Sequence, residues 1–143
     1  MKIYVASSWK NEKEVLWLAD KLRLWGHEVD CFADKSSGRF VFHYSELGDT
    51  GKIDAIGFLA DERSQTAFAE DKKWLDWCEC VVMLLPCGKS AHLEAGYAKG
   101  QGKKLIILGD FPPGEFDVMY GFADALIRID SKVSINLNAQ LEK

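Results

Sequence analysis

Two short apolar runs, Cys80–Leu85 and Leu105–Leu108, are separated by one helical length of chain. Runs this short and this uniformly apolar, bracketing a helix, read as parallel strands buried on both faces of a sheet. The loop Pro86-Cys87-Gly88-Lys89-Ser90 then leaves the first strand at the sheet's carboxyl edge, where such folds carry their chemistry. Ser90 is placed to N-cap the helix that follows. Glu94 falls in or just after the first turn, where backbone N–H groups and the helix dipole favour a carboxylate. A carboxylate held anionic at that edge is a candidate nucleophile or base; the alternative is a solvated Glu on a surface helix. Gly96 in the helix interior costs roughly 1 kcal/mol relative to Ala. It signals close packing there, by the sheet or by a ligand.

The same alternation recurs on both sides. Lys2–Ala6 reads as a first strand and Glu28–Phe32 as a second. Between them Asn11 and Glu14 form a capping-box pattern. Val15, Leu18, Ala19, Leu22 and Trp25 then recur at helical spacing, and Gly26 stops the helix. Ala125–Ile129 supplies a fifth strand. The chain of 143 residues fits one domain, 1–143. Five strands with intervening helices predict an α/β, flavodoxin-like doubly wound parallel sheet in the order 2-1-3-4-5. In that order the loops after Ala6 and after Leu85 flank one crevice. Tyr4, Ser7, Trp9, Ser90 and Glu94 converge there, with Asp71 on the helix leading into strand 3.

From Ala33 to about Arg63 the periodicity dissolves into turn residues and aromatics, including Arg39-Phe40-Val41-Phe42-His43-Tyr44-Ser45-Glu46. So long an irregular segment is more often functional than idle, and a ligand-covering lid is expected; the alternative is a surface segment pinned by its aromatics. A helix follows from Ser64 or Thr66 to Trp77. Asp71 falls amid its apolar face of Ala67, Phe68, Trp74, Leu75 and Cys78. A carboxyl group facing a core has its pKa raised, which suits a general acid; the alternative is a local cap. Gly109–Gly114 is a second functional-looking loop, Phe116–Phe122 suggests a short helical turn, and the tail from Asp130 either docks or wanders.

Net charge is −4 with acids and bases interspersed, which argues against a nucleic-acid partner. No signal-peptide pattern and no apolar run of membrane-spanning length occurs, so a cytoplasmic protein without a membrane partner is expected. Cys31, Cys78 and Cys80 sit in or beside apolar segments as small hydrophobes. The spacing of Cys78 and Cys80 fits neither a zinc knuckle nor a redox pair, so no metal is expected.

Several of these segments together resemble the nucleoside 2-deoxyribosyltransferase superfamily, which includes nucleoside 5′-monophosphate N-glycosidases. The resemblance rests on Ile3-Tyr4-Val5-Ala6-Ser7-Ser8-Trp9, on Phe42-His43-Tyr44-Ser45-Glu46, on Asp71 and on Ser90-Ala91-His92-Leu93-Glu94-Ala95-Gly96-Tyr97-Ala98. It runs from Met1 to about Leu108, and Glu94-Ala95-Gly96-Tyr97-Ala98 is its most specific part. It implies cleavage of the N-glycosidic bond of a (deoxy)nucleoside or its monophosphate, through a glycosyl-enzyme intermediate. It implies Glu94 as the nucleophile, Asp71 as the acid toward the departing base and Tyr4 as the residue orienting Glu94. Ser7, Trp9, His43, Ser45, Glu46, Gly88, Ser90 and His92 are the implied substrate-binding positions. The founding transferases carry an acidic residue where this chain has Gly88. Related monophosphate hydrolases place a serine in that loop, a role open to Ser90 with Lys89. The family also implies a homo-oligomer, a dimer or larger, which five tryptophans partly on helix faces would suit.

Two other readings use the same fold. One is a non-catalytic nucleotide-sensing or signalling module, against which the joint presence of Glu94 and Asp71 weighs. The other is a glycohydrolase acting on the nicotinamide bond of NAD. Ser7-Ser8-Trp9-Lys10 has hydroxyls but no glycine, which argues against bound FMN, and no cofactor is expected.

Overall fold

Period-two alternation along the strands sorts the core onto two faces. A computed structural model describes residues 1–143, the side chain of Ser36 excepted. Its strands are β1 (Lys2–Ala6), β2 (Glu28–Cys31), β3 (Cys80–Leu84), β4 (Lys104–Gly109) and β5 (Ala125–Arg128). All pair in parallel, in the order β2-β1-β3-β4-β5. This is the expected flavodoxin-like sheet. Ile3, Val5, Cys80, Val82, Leu84, Ile106 and Leu108 face one side. Tyr4, Ala6, Val81, Met83, Leu105 and Ile107 face the other. Every residue of β3 is buried, as a central parallel strand requires.

The helices are α1 (Glu12–Leu24), α2 (Ala55–Ala60), α3 (Glu62–Trp77), α4 (Lys89–Gly100) and α5 (Val133–Leu141). α1 buries Val15, Leu18, Ala19 and Leu22 against the first face. α5 adds Leu137 and Leu141 there, so the tail docks. Burial of one such aliphatic side chain stabilises by roughly 1.5–3 kcal/mol, enough to hold the tail. α3 and α4 cover the second face through Leu75, Ala91, Ala95 and Ala98. The small residues of α4 let it approach the sheet closely. Cys31 and Cys80 lie in one core and Cys78 in the other. Among the described residues no helix is long and apolar enough to cross a membrane.

Three expectations are corrected and one is narrowed. The segment up to Arg63 is more ordered than a loop: it holds α2, and α3 begins at Glu62, where Asp61 caps it by accepting from the Arg63 N–H. Asn11 occupies the N-cap position of α1 without capping it. Its amide instead donates to Ser7 Oγ at 3.0 Å and to the Pro86 carbonyl at 2.6 Å. Phe68, placed on the apolar face of α3, is 65% exposed. A 16-residue helix spans about 24 Å and a five-residue strand about 17 Å, so the first turns of α3 overrun the sheet. Gly96 meets no atom within 4 Å of an added Cβ, so no protein packing explains it.

Candidate active site

Tyr4 is on the α3 and α4 side of β1, one residue out of phase with Ile3 and Val5. Its parallel partner across β2 is Asp30. Two polar side chains therefore stand next to each other on one face of the sheet, both nearly without solvent contact. Such groups persist in a core only when paired.

The pairing comes from three further elements. Glu94, in the second turn of α4, accepts the Tyr4 hydroxyl hydrogen bond. Arg39, between β2 and α2, donates from Nε to Asp30 Oδ1 at 2.9 Å and from Nη2 to Asp30 Oδ2 at 3.1 Å. The same Nη2 lies 2.9 Å from Asp71 Oδ1 on α3. The Arg39 and Asp30 side chains are 3% and 5% exposed, whereas Asp71 keeps 40% of its side-chain surface. Asp71 is thus half-buried at the edge of the sheet rather than in the core, and Asp61 serves as the cap of its helix.

Charge is distributed unequally over this cluster. Burial raises the Glu94 pKa; the Tyr4 hydrogen bond opposes the rise, the Asp71 charge adds to it, and the value reaches about 7. Burial thus outweighs whatever help the helix dipole gives the carboxylate. Glu94 stands beyond the first turn, where the dipole has faded, and desolvation wins. Burial also raises Asp71, but the Arg39 charge and hydrogen bond pull against it. For Asp30 burial is again opposed by Arg39. Burial and the neighbouring Glu94 and Asp71 charges push the Tyr4 hydroxyl far above its usual range, so it remains a donor. Burial works against the Arg39 charge, but its Asp30 hydrogen bonds and the Asp30 and Asp71 carboxylates outweigh it.

The loops flanking the cluster are tied together. Ser7 Oγ donates to the Leu84 carbonyl at 2.8 Å, and Asn11 joins Ser7 to Pro86. Trp9 packs edge-on against Phe32 and His43, at 4.9 and 5.6 Å between ring centres. His43 Nδ1 accepts from the Ser45 N–H and contacts Ser45 Oγ. Glu46 is exposed on the helical turn Tyr44–Leu47, with its charge near Arg63. The aromatics of this segment also pair among themselves, Phe42 stacking on Phe58 at 6.0 Å.

Gly88, not Ser90, is the N-cap of α4, and no side chain caps that end. Ser90 stands one turn before Glu94 on the same face of α4. His92 is about 200° around the helix from Glu94 and belongs to a different set of contacts. Its Nδ1 lies 2.7 Å from the Gly88 carbonyl, which only accepts, so Nδ1 carries the proton. Nε2 then accepts from the Tyr120 hydroxyl at 3.2 Å. These rings border a cavity of about 940 Å³ lined also by Cys87, Gly96, Phe111 and Phe116. Burial and the nearby Glu94 push the Cys87 thiol up to about 11. With Nδ1 protonated, His92 has no lone pair facing the thiol, and Cys87 is not an activated nucleophile.

The structure thus brings Tyr4, Asp71 and Glu94 into one cluster and separates His92 from it. Asp30 and Arg39 were not anticipated as members. Asp30 carried a signal, an acid flanked by Val29 and Cys31 in the second strand. Arg39 carried none, lying in a turn-rich stretch without periodicity.

No family model matches this chain, and no curated protein matches it. Among solved structures, the Clostridium botulinum CMP N-glycosidase BcmB shares its fold. The TM-score is 0.58 at 15% sequence identity, over 100% of both chains.

Proposed function

We propose that this protein cleaves the N-glycosidic bond of a nucleoside or nucleotide with Glu94 as the nucleophile, as a member of the nucleoside 2-deoxyribosyltransferase superfamily. The observation that carries the reading is the cluster of Tyr4, Glu94 and Asp71 at the carboxyl edge between β1 and β3. The fold shared with a CMP N-glycosidase supports it. A retaining displacement needs a carboxylate nucleophile and a separate acid. The Glu94 carboxylate attacks the anomeric carbon. The carbon–nitrogen bond breaks, its electron pair leaves with the base, and Asp71 supplies the proton. Water or a second base then attacks the anomeric carbon of the glycosyl-Glu94 ester, gives a proton to the Asp71 carboxylate, and the carbon–oxygen bond to Glu94 breaks to free its carboxylate. Tyr4 holds Glu94 in orientation for both steps.

The structural neighbour is a CMP N-glycosidase, which favours a 5′-monophosphate substrate. Ser90 and the uncapped N–H groups of α4 are suited to meet such a phosphate. Self-association belongs to the same reading, since Phe116 and Val118 are each 86% exposed; a light-scattering mass of 16.1 kDa would remove it.

The test is a panel of deoxynucleosides, ribonucleosides, their 5′-monophosphates and NAD, each with and without a second free base. Base release and exchange are followed by chromatography, with Glu94→Ala as control. Exchange abolished in the variant indicates a transferase, and release without exchange a hydrolase. Turnover of NAD alone moves the substrate class. No turnover of any compound leaves a nucleotide-binding module.

A further inference from the structure

Arg39 is a cation whose side chain is almost wholly buried, yet it is delivered by a stretch of irregular chain. A buried guanidinium is costly unless it is paired with good geometry, and here Nε and Nη2 are paired with carboxylates. Asp30 takes two of its N–H groups in a bidentate fork, which leaves the ring of donors no freedom to turn. The remaining contact is directed at a carboxylate on a different element, Asp71 of α3. The other charged or titratable groups around Asp71 are Tyr4 on β1, Asp30 on β2, Glu94 on α4 and Glu70 on its own helix. All four are acids or a buried phenol, so Arg39 is the cation of the cluster.

We propose that Arg39 is a positioning residue: clamped by Asp30, it fixes the Asp71 carboxylate and makes the β2–α2 segment a working part of the site. The inference rests on the glycosidic reading for its consequence in turnover, but not for its geometry. Asp30 is then the anchor of Arg39 rather than a group that meets substrate. Asp71 is oriented from one side by the guanidinium, with its exposed side left for a ligand.

The experiment uses the full chain with Arg39→Lys and with the paired change Arg39→Met and Asp30→Asn, which removes both buried partners together. The Asp71 carboxyl is titrated by carbon-detected NMR in each folded variant. Loss of a close cation raises a carboxyl pKa by about one pH unit or more, and that upward shift is expected in the paired variant. A smaller upward shift is expected in Arg39→Lys, whose single ammonium cannot reproduce the fork and the third contact. An Asp71 midpoint unchanged in a folded variant overturns the proposal. With the best substrate of the panel, kcat falls at least tenfold in the paired variant while KM changes less. An undiminished kcat there also overturns it. If wild type turns over nothing, the glycosidic reading fails while the titration still decides the role of Arg39.

Discussion

The Tyr4 hydroxyl, buried in the sheet, donates to the Glu94 carboxylate on the helix above it. The bond joins the first strand to the helix after the third, across the point where the strand order reverses. It also works against desolvation, because it favours the ionised form of Glu94. Tyr4→Phe removes the hydroxyl and keeps the ring. A hydrogen bond to a charged group contributes about 1.5–3 kcal/mol, so kcat is expected to fall roughly 10- to 100-fold. Circular dichroism should show the fold intact. Wild-type kcat in Tyr4→Phe would exclude an orienting role.

Glu94 gives stability a definite pH dependence. Its pKa is raised from 4.5 to about 7 on folding. The folded state therefore holds this proton more tightly than the unfolded state does. Below pH 4.5 both states are protonated and nothing is lost. Between pH 4.5 and about 7 the unfolded state ionises first, and stability declines as pH rises. Glu94→Gln escapes that decline. The variant should gain on wild type across this window, by up to about 3 kcal/mol at pH 8. Urea unfolding at pH 5 and pH 8 measures it, and an equal difference at both would assign the pKa rise elsewhere.

Asn11 links the two loops that flank the site, through Ser7 Oγ and the Pro86 carbonyl. Asn11→Ala deletes both bonds and leaves the part-buried Ser7 Oγ without its donor. The expected loss is about 1–3 kcal/mol, read as a lower urea midpoint at unchanged slope. Asn11→Asp should not restore it, since a carboxylate cannot donate to that carbonyl. Full stability in Asn11→Ala would show that the loops are held by packing alone.

Gly96 offers the opposite test. An added Cβ meets no atom within 4 Å, and the residue is in a regular helix at negative φ. Gly96→Ala should stabilise by about 0.5–1 kcal/mol. Gly96 also borders the 940 Å³ cavity. A stabilised variant with weakened substrate binding would identify the cavity as part of the binding site. A destabilised one would mean that another chain packs there.

The strand set was legible because it depends on short-range patterning. Cys80–Leu85 and Leu105–Leu108 are apolar without interruption, as strands covered on both faces must be. Tyr4 could be assigned to the crevice because the predicted order sets strands 1 and 3 side by side, and its role toward Glu94 came only from the family resemblance. Asp71 was legible as an acid out of keeping with its helix face, but not its half-exposure, which depends on α3 overrunning the sheet. Ser90 as a cap and Asn11 as a capping box failed for one reason. Both are local motifs, and the tertiary environment offered Asn11 better partners and began α4 one residue before Ser90.

By itself the sequence determined the doubly wound sheet and the convergence of Tyr4, Asp71 and Glu94 on one edge of it, since periodicity and strand order are properties of the chain. Only the tertiary structure decided how those groups are charged. The Glu94 pKa near 7 arises from burial beneath other elements. The pairing of Arg39 with Asp30 and Asp71 joins three segments whose spacing along the chain carries no periodic signal. Desolvation and ion pairing depend on distance in space, and distance in space is set only when the layers close.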